Sequence, residues 1–337
     1  MQRSLPMAVF AVAALMPLGL LAIGIAQGGL WVAGALAYMT VLAAVLDQIK
    51  GLFSGAAPEG AEFPAADALL VAVGAGAVLL LPAAVWAVAG TSGLSPLARG
   101  AVFLGAGLWL GQVAHPAAHE LIHRGNRGLF GLGVAVYGLL GFGHHASAHR
   151  LVHHRHVATA RDPNSARKGE GFYRFFLRAW GGSFLAGWRA ECALRGGGLM
   201  PYAGYFGFAM AALALGCGIA GWKGAAVWAA LGLHVQVQIL LSDYVQHYGL
   251  VRAEGRGVPV TLAHSWNAPH WFSSAFMLNA PRHSDHHTHP SRPYPALRLP
   301  EEAPLLPWPL PLACTIALVP PLWHRRIGPH LALWRQE

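Results

Sequence analysis

Apolar residues in this chain run in long blocks, and polar residues gather in a few stretches between them. A helix needs roughly 20 apolar residues to cross a bilayer. Blocks of that kind lie near 6–27, 30–47, 68–90, 98–118, 202–220 and 224–246. They predict an all-α integral membrane protein with about six transmembrane helices. The first block is followed at once by a second after Gly28 and Gly29, so it reads as a span and not as a signal peptide. The run 128–143 is shorter and glycine-rich, which suits an interfacial or re-entrant piece. Pro304, Pro307, Pro309, Pro311, Pro320 and Pro321 argue against a simple spanning helix over 304–322. There is no repeat of fixed period, and 51–67 is the nearest approach to a linker.

Composition strengthens this reading. Of 337 residues, 55% are hydrophobic and 11% charged, against about 25% charged in a soluble domain. That excludes a disordered chain, a coiled coil and an ordinary cytosolic enzyme. Six spans put both termini on one side and make three hairpins, 6–47, 68–118 and 202–246. Their tips carry Lys223 alone, and Arg99 lies just inside a span. The remaining 21 of 23 Lys and Arg, Arg3 and Lys50 among them, fall on the other side, which the positive-inside rule makes cytoplasmic. The chain reads as one membrane domain over 1–337. Residues 1–118 and 202–246 are mainly hairpins, and 119–201 and 247–337 are mainly a cytoplasmic cap. The net charge of +9 points to lipid headgroups or an acidic protein rather than to nucleic acid. Three scattered cysteines without a CxxC argue against a disulfide framework and a zinc ribbon.

The unusual residue is histidine. There are 19, more than all the acidic residues together, with eight between His119 and His156 and six between His264 and His289. His119-Glu120-Leu121-Ile122-His123 directly follows a span, and its i, i+4 histidines share a helical face. The same HExxH spacing occurs in zinc proteases, and the plain alternative is an interfacial helix end. His149 and His153 form a second i, i+4 pair, with His154 displaced by about 100° of helix turn; two ions side by side would use that offset. His283 and His287 are a third such pair, and His286 stands three residues from His283. His247 closes the last span. Imidazole suits iron, zinc, copper and nickel. A single zinc takes about four ligands, so nine candidates favour two ions. Glu120-x-x-His123 is the only carboxylate–histidine pair of the soluble di-iron type near the clusters. What remains is a histidine-rich, carboxylate-poor dimetal site.

HExxH, then HxxxHH, then HxxHH on a hydrophobic chain resembles the integral-membrane fatty acid desaturase and hydroxylase superfamily. Within it, Tyr244-Val-Gln-His-Tyr-Gly-Leu-Val-Arg252, His264-Ser-Trp-Asn267, Arg282-His-Ser-Asp-His-His-Thr-His-Pro290 and His154-Arg-His-Val-Ala-Thr159 with Asp162-Pro163 resemble the bacterial membrane alkane 1-monooxygenases. The resemblance runs from about His115 to Leu299. It implies two non-haem irons held by His119, His123, His149, His153, His154, His247, His283, His286 and His287. It also implies hydroxylation of the terminal carbon of an alkane or similar apolar chain with O2. Two departures stand out: Gln246 where the family has Glu, and Arg124 where it has Lys. His115, His144, His145, His156 and His289 lie beside the pattern and read as neighbours of the ligands or as solvated. His234 reads as a satisfied interior histidine.

No dinucleotide fingerprint is present, so no bound flavin or nicotinamide is expected and electrons must arrive from outside. The resemblance implies rubredoxin or a ferredoxin as donor, fed by an NAD(P)H-linked reductase, with the substrate taken from the bilayer of a bacterial inner membrane. Asp243 and Asp285 lie within four residues of proposed ligands and are expected to accept their second N–H. The alternatives are a fatty acyl desaturase or hydroxylase with the same histidines, a zinc protease on His119, Glu120 and His123 that leaves the other clustered histidines idle, and a metal transporter or sensor. A transporter should place its ligands near the bilayer midplane, where only His234 lies.

Overall fold

The computed structural model describes residues 4–49, 52–53, 55–196, 200–255 and 257–334. Arg3, Lys50, Arg256 and Arg335 of the basic residues counted above lie outside these. Among the described residues there is no β-strand, only an isolated bridge between Asn267 and Leu305.

The chain opens with helix α1, Met7–Gln27, and α2, Leu30–Leu46. Gly28 and Gly29 between them take φ of 68° and 63°, a left-handed turn that favours glycine. The two helices lie close enough that a Cβ on Gly24 would stand 2.4 Å from Val32. α3, Ala66–Ala89, and α4, Pro96–Ile122, form the next pair. Ser95 caps α4 by accepting the Ala98 N–H, and Pro96 occupies its first turn, where no N–H is needed. After α4 come α5, Arg127–Leu139, a helical run α6 over 145–156, and α7, Phe172–Arg195.

The longest helix, α8, spans Met200–His247 and is broken at Ala220 and Gly221, where φ reaches 61°. The break folds it into two arms, with Gly224 packed directly on the Gly216 backbone. Short helices follow: α9, Trp271–Phe276, α10, His283–Thr288, α11, Leu310–Ala317, and α12, Pro320–Ala332. Buried Asp47, just past α2, accepts the N–H groups of Phe272 and Ser273 and so ties α9 to the first hairpin.

α1, α3, α4 and α8 are long and apolar enough to cross a membrane. Apolar side chains stand outward on these elements, such as Leu79 at 71% and Trp222 at 75% exposure. A bilayer covers such a surface; water does not. α2 is shorter than the block that predicted it, at 17 residues. α5 has 13 residues, about 20 Å at 1.5 Å per residue and short of a bilayer's ~30 Å core. The proline-rich 304–322 holds no spanning helix; it contains α11 and the start of α12.

One boundary differs from the sequence reading. The apolar block ends near 118, yet α4 runs on to Ile122, so HExxH forms its last turn instead of following it. A π turn at Leu110–Ala114 makes this possible. It shifts the hydrogen-bond register just before Pro116, which has no N–H to give.

Candidate metal centre

Two helices carry histidines to the same end of the molecule because they run parallel. Gly107 of α4 lies against His234 of α8, and one turn later Gly111 lies against Gln238, where a Cβ would meet the amide at 2.4 Å. Gln238 Nε2 donates to Gly107 O at 2.8 Å. Glycine at both steps lets the helices touch. This register leaves His119 and His123, at the end of α4, and His247, at the end of α8, at the same end of the molecule, in adjacent groups.

α6 and α10 complete the cluster. The middle of α6, His149–His153, is a π turn. α10 is held from outside: Asn267 Oδ1 accepts Ser284 N at 2.9 Å, and Arg282 Nη1 donates to Leu297 O at 2.6 Å. The nine histidines then sort into two adjacent groups, His119, His123, His149, His154 and His286, and His153, His247, His283 and His287. Within each group the ligand atoms lie within 4.8 Å of one another.

This sorting corrects the expected pairing on α6. His149 and His153, four apart, point into different groups, whereas His149 and His154, five apart, share one. The π turn is the reason, since its repeat aligns residues i and i+5. α10 is a single turn of ordinary helix, so His283 and His287 share a group as expected and His286 crosses to the other.

The donor atoms are all of one kind. His149 Nε2 lies 2.7 Å from His119 Nε2 and 2.9 Å from His154 Nε2, which is 3.2 Å from His286 Nε2. His283 Nε2 lies 3.0 Å from His247 Nε2 and 3.1 Å from His287 Nε2. His123 Nε2 and His153 Nε2 are buried without a hydrogen-bond partner. Each neutral imidazole has one N–H, so such a knot of nitrogens satisfies itself poorly. Two nitrogens sharing one ion at about 2.1 Å each stand about 3 Å apart, which is the spacing here. The residues therefore fit metal ions.

Burial keeps His149, His154, His283, His286 and His287 well below the usual imidazole range and lowers His123 to about 3, so these rings are neutral and offer lone pairs. His153 differs. Burial pushes it down, but the Asp162 carboxylate at 2.8 Å outweighs that and leaves it raised.

The two aspartates expected beside the ligands bond elsewhere. Asp243 accepts Asn164 Nδ2 at 2.6 Å. Asp285 grips Arg292 and His289 and accepts Arg298 N at 2.8 Å, which fixes the strand of chain after α10. The carboxylates that approach ligand rings are Asp162, on His153 Nδ1, and Glu120, whose Oε1 is 4.0 Å from His286 Nδ1. Sequence reasoning quoted Asp162 only as part of Asp162-Pro163 and gave it no role. Its one signal was an acidic residue nine positions after His153 in a chain poor in carboxylates.

The histidines beside the pattern divide. His145 is buried and stacks on His149, His144 is buried near Ser183, and His115 Nδ1 lies 2.9 Å from Tyr137 Oη. His156 is half-buried and His289 exposed. His234 packs on Phe103 in the α4–α8 contact. A cavity of about 20 Å³, room for one water-sized molecule, touches both groups and is lined by His119, His149, His283, Asp243, Gln246 and Met277.

Known proteins are similar to this chain in sequence. It is 34% identical over 240 residues to alkane 1-monooxygenase 1 of Pseudomonas aeruginosa, covering 67% of this chain and 62% of that one. Alkane 1-monooxygenase 2 of the same organism is 35% identical over 242 residues, covering 67% and 63%. Alkane 1-monooxygenase of Ectopseudomonas oleovorans is 31% identical over 255 residues, covering 73% and 63%. The chain thus spans about three fifths of the length of the curated relatives it matches. The profile of the fatty acid desaturase family matches residues 92–306. That is more than half of the chain and takes in all nine clustered imidazoles, and the chain is a membrane protein that belongs to the fatty acid desaturase family.

Proposed function

We propose that this protein is a di-iron monooxygenase that hydroxylates the terminal carbon of an alkane or a similar apolar chain. The observation that carries the reading is the convergence of nine imidazole nitrogens into adjacent groups of five and four at the end of apolar helices. The relatives named alkane 1-monooxygenase support the choice of substrate class.

The nine histidines hold the two irons, one in each group. Irons held there supply the oxidising chemistry that places one atom of O2 in a C–H bond, with two electrons and two protons taking the other atom to water. The protein's part is binding and orientation. Asp162 and the His264 carbonyl take the second N–H of His153 and His247 and fix those rings. The small cavity that touches both groups, with Met277 and Ala280 in its wall, has room for one water-sized molecule and so keeps bulk water from the site. An apolar substrate partitions into the bilayer and approaches the site between helices.

The same reading has six crossings: α1, α2, α3, α4 and the two arms of α8. Both termini and the histidine cap then face the cytoplasm of a bacterial inner membrane, in keeping with the basic residues of that side. The whole chain, 1–337, acts as one domain. Electrons come from rubredoxin or a ferredoxin served by an NAD(P)H-linked reductase. The segment with Arg150, Arg155, Arg161, Arg167, Lys168, Arg174 and Arg178 suits an acidic carrier.

Product analysis tests the proposal. Cells expressing the chain with a rubredoxin system, fed alkanes of several lengths, a xylene and a fatty acid, should yield primary alcohols from the alkanes by gas chromatography. A new double bond in the fatty acid with no alkanol would replace the reading with an acyl desaturase.

A further inference from the structure

The two histidine groups differ in how their rings are backed. In the four-histidine group, His153 Nδ1 meets Asp162 Oδ2 at 2.8 Å, with both side chains buried. Asp162 is itself held: Ser165 Oγ donates to Oδ2 at 2.7 Å and Asn164 N to Oδ1 at 3.1 Å. Asn164 then joins Asp162's turn to Asp243 at 2.6 Å. The turn is pinned on two further sides. Arg178 of α7 donates to Pro163 O and Ser165 O, at 2.8 and 3.1 Å. The chain after His247 supplies Gly249 N to Ala166 O at 2.9 Å and Arg252 N to Ala158 O at 2.7 Å. His247 of the same group has the His264 carbonyl 3.3 Å from its Nδ1.

Among the described residues, no carboxylate lies within hydrogen-bond distance of a ring in the five-histidine group. His149 Nδ1 and His154 Nδ1 are buried without a hydrogen-bond partner, as is His287 Nδ1 of the four-histidine group. The nearest carboxylate, Glu120, is 4.0 Å from His286 Nδ1 and is engaged by Tyr294 N at 3.2 Å. One group therefore has more rings, and the other has fewer, of which His153 is held by a carboxylate and His247 faces a carbonyl.

We infer that Asp162 is the positioning residue of the four-histidine group, so that the ion held there depends on Asp162 and the ion in the five-histidine group does not. The inference rests on the two-ion reading above. A carboxylate on Nδ1–H fixes the tautomer that leaves Nε2 free, sets the ring plane and raises its basicity. A set of four donors has less redundancy than a set of five, so it feels the loss more.

Iron binding reports this without turnover. Purified wild-type and Asp162→Asn chains are stripped of metal and titrated with ferrous iron against a chelator of known affinity. Wild type takes up two irons. Asp162→Asn keeps one at wild-type affinity and binds the other roughly 10–100-fold more weakly. Adding His287→Ala, from the same group, leaves that one tight iron, whereas adding His123→Ala, from the other group, leaves none. If Asp162→Asn does not fold, Ser165→Ala decides, by weakening one iron to a smaller degree and sparing the other. Two irons at wild-type affinity, or two weakened together, overturn the role of Asp162. A wild-type chain that takes up fewer than two irons overturns the two-ion reading instead.

Discussion

Between α4 and the second arm of α8, contact is made where side chains are missing: Gly107 and Gly111 let His234 and Gln238 lie against bare backbone. Past His119 and His247 the same two helices enter a region where polar side chains meet named partners, from Asn267 on Ser284 to Arg178 on Glu170 and the Pro163 carbonyl. The arms use close approach because, in lipid, burying apolar surface gives helices no reason to associate, and packing has to do it. The cap uses polar networks, and they surround nine rings whose nitrogens crowd one another. The arms set the height and register of the histidines, and the cap sets where each ring points.

The cap should be the part that fails first in function. His286→Ala and His153→Ala each remove one ring, from different groups. Each is expected to cut turnover by more than about 100-fold and to cost iron, since outer partners of ligands alone are worth 10–100-fold. The arms should stay folded, which thermal melting in detergent would register. Full turnover in either variant would take that residue out of the metal site and blur the contrast between the two regions.

A smaller effect is expected in the arms. Gly111→Leu drives a side chain into Gln238 and should destabilise the chain by about 1–3 kcal/mol. Gly204→Leu, on the first arm of α8 with open space around it, should change stability by less than about 0.5 kcal/mol. Equal melting temperatures for the two variants would mean that the α4–α8 register is not set by the missing side chain.

The same contrast explains what could be read from the sequence. Helix positions followed from the length of apolar blocks, and the α8 break followed from the gap between the blocks 202–220 and 224–246. Convergence of the histidines followed from i, i+4 spacing and from their place at span ends. The division into five and four did not, because the π turn at His149–His153 leaves no mark in the spacing and moves the partner of His149 from His153 to His154. Asp162 was also hidden. Its contact with His153 needs the whole turn from Ala158 to Glu170 to fold back under Arg178, a long-range event that local patterns do not carry. Asp243 and Asp285 looked better placed by sequence distance alone, yet among the described residues their hydrogen bonds go to Asn164 and to His289, Arg292 and Arg298, while Asp243 also lines the cavity beside the rings.

The central claim is that nine imidazoles hold two irons, and metal analysis of the purified, active chain tests it most directly. The account predicts close to two iron atoms per chain with little zinc. A reproducible single zinc per chain in an active preparation would contradict it.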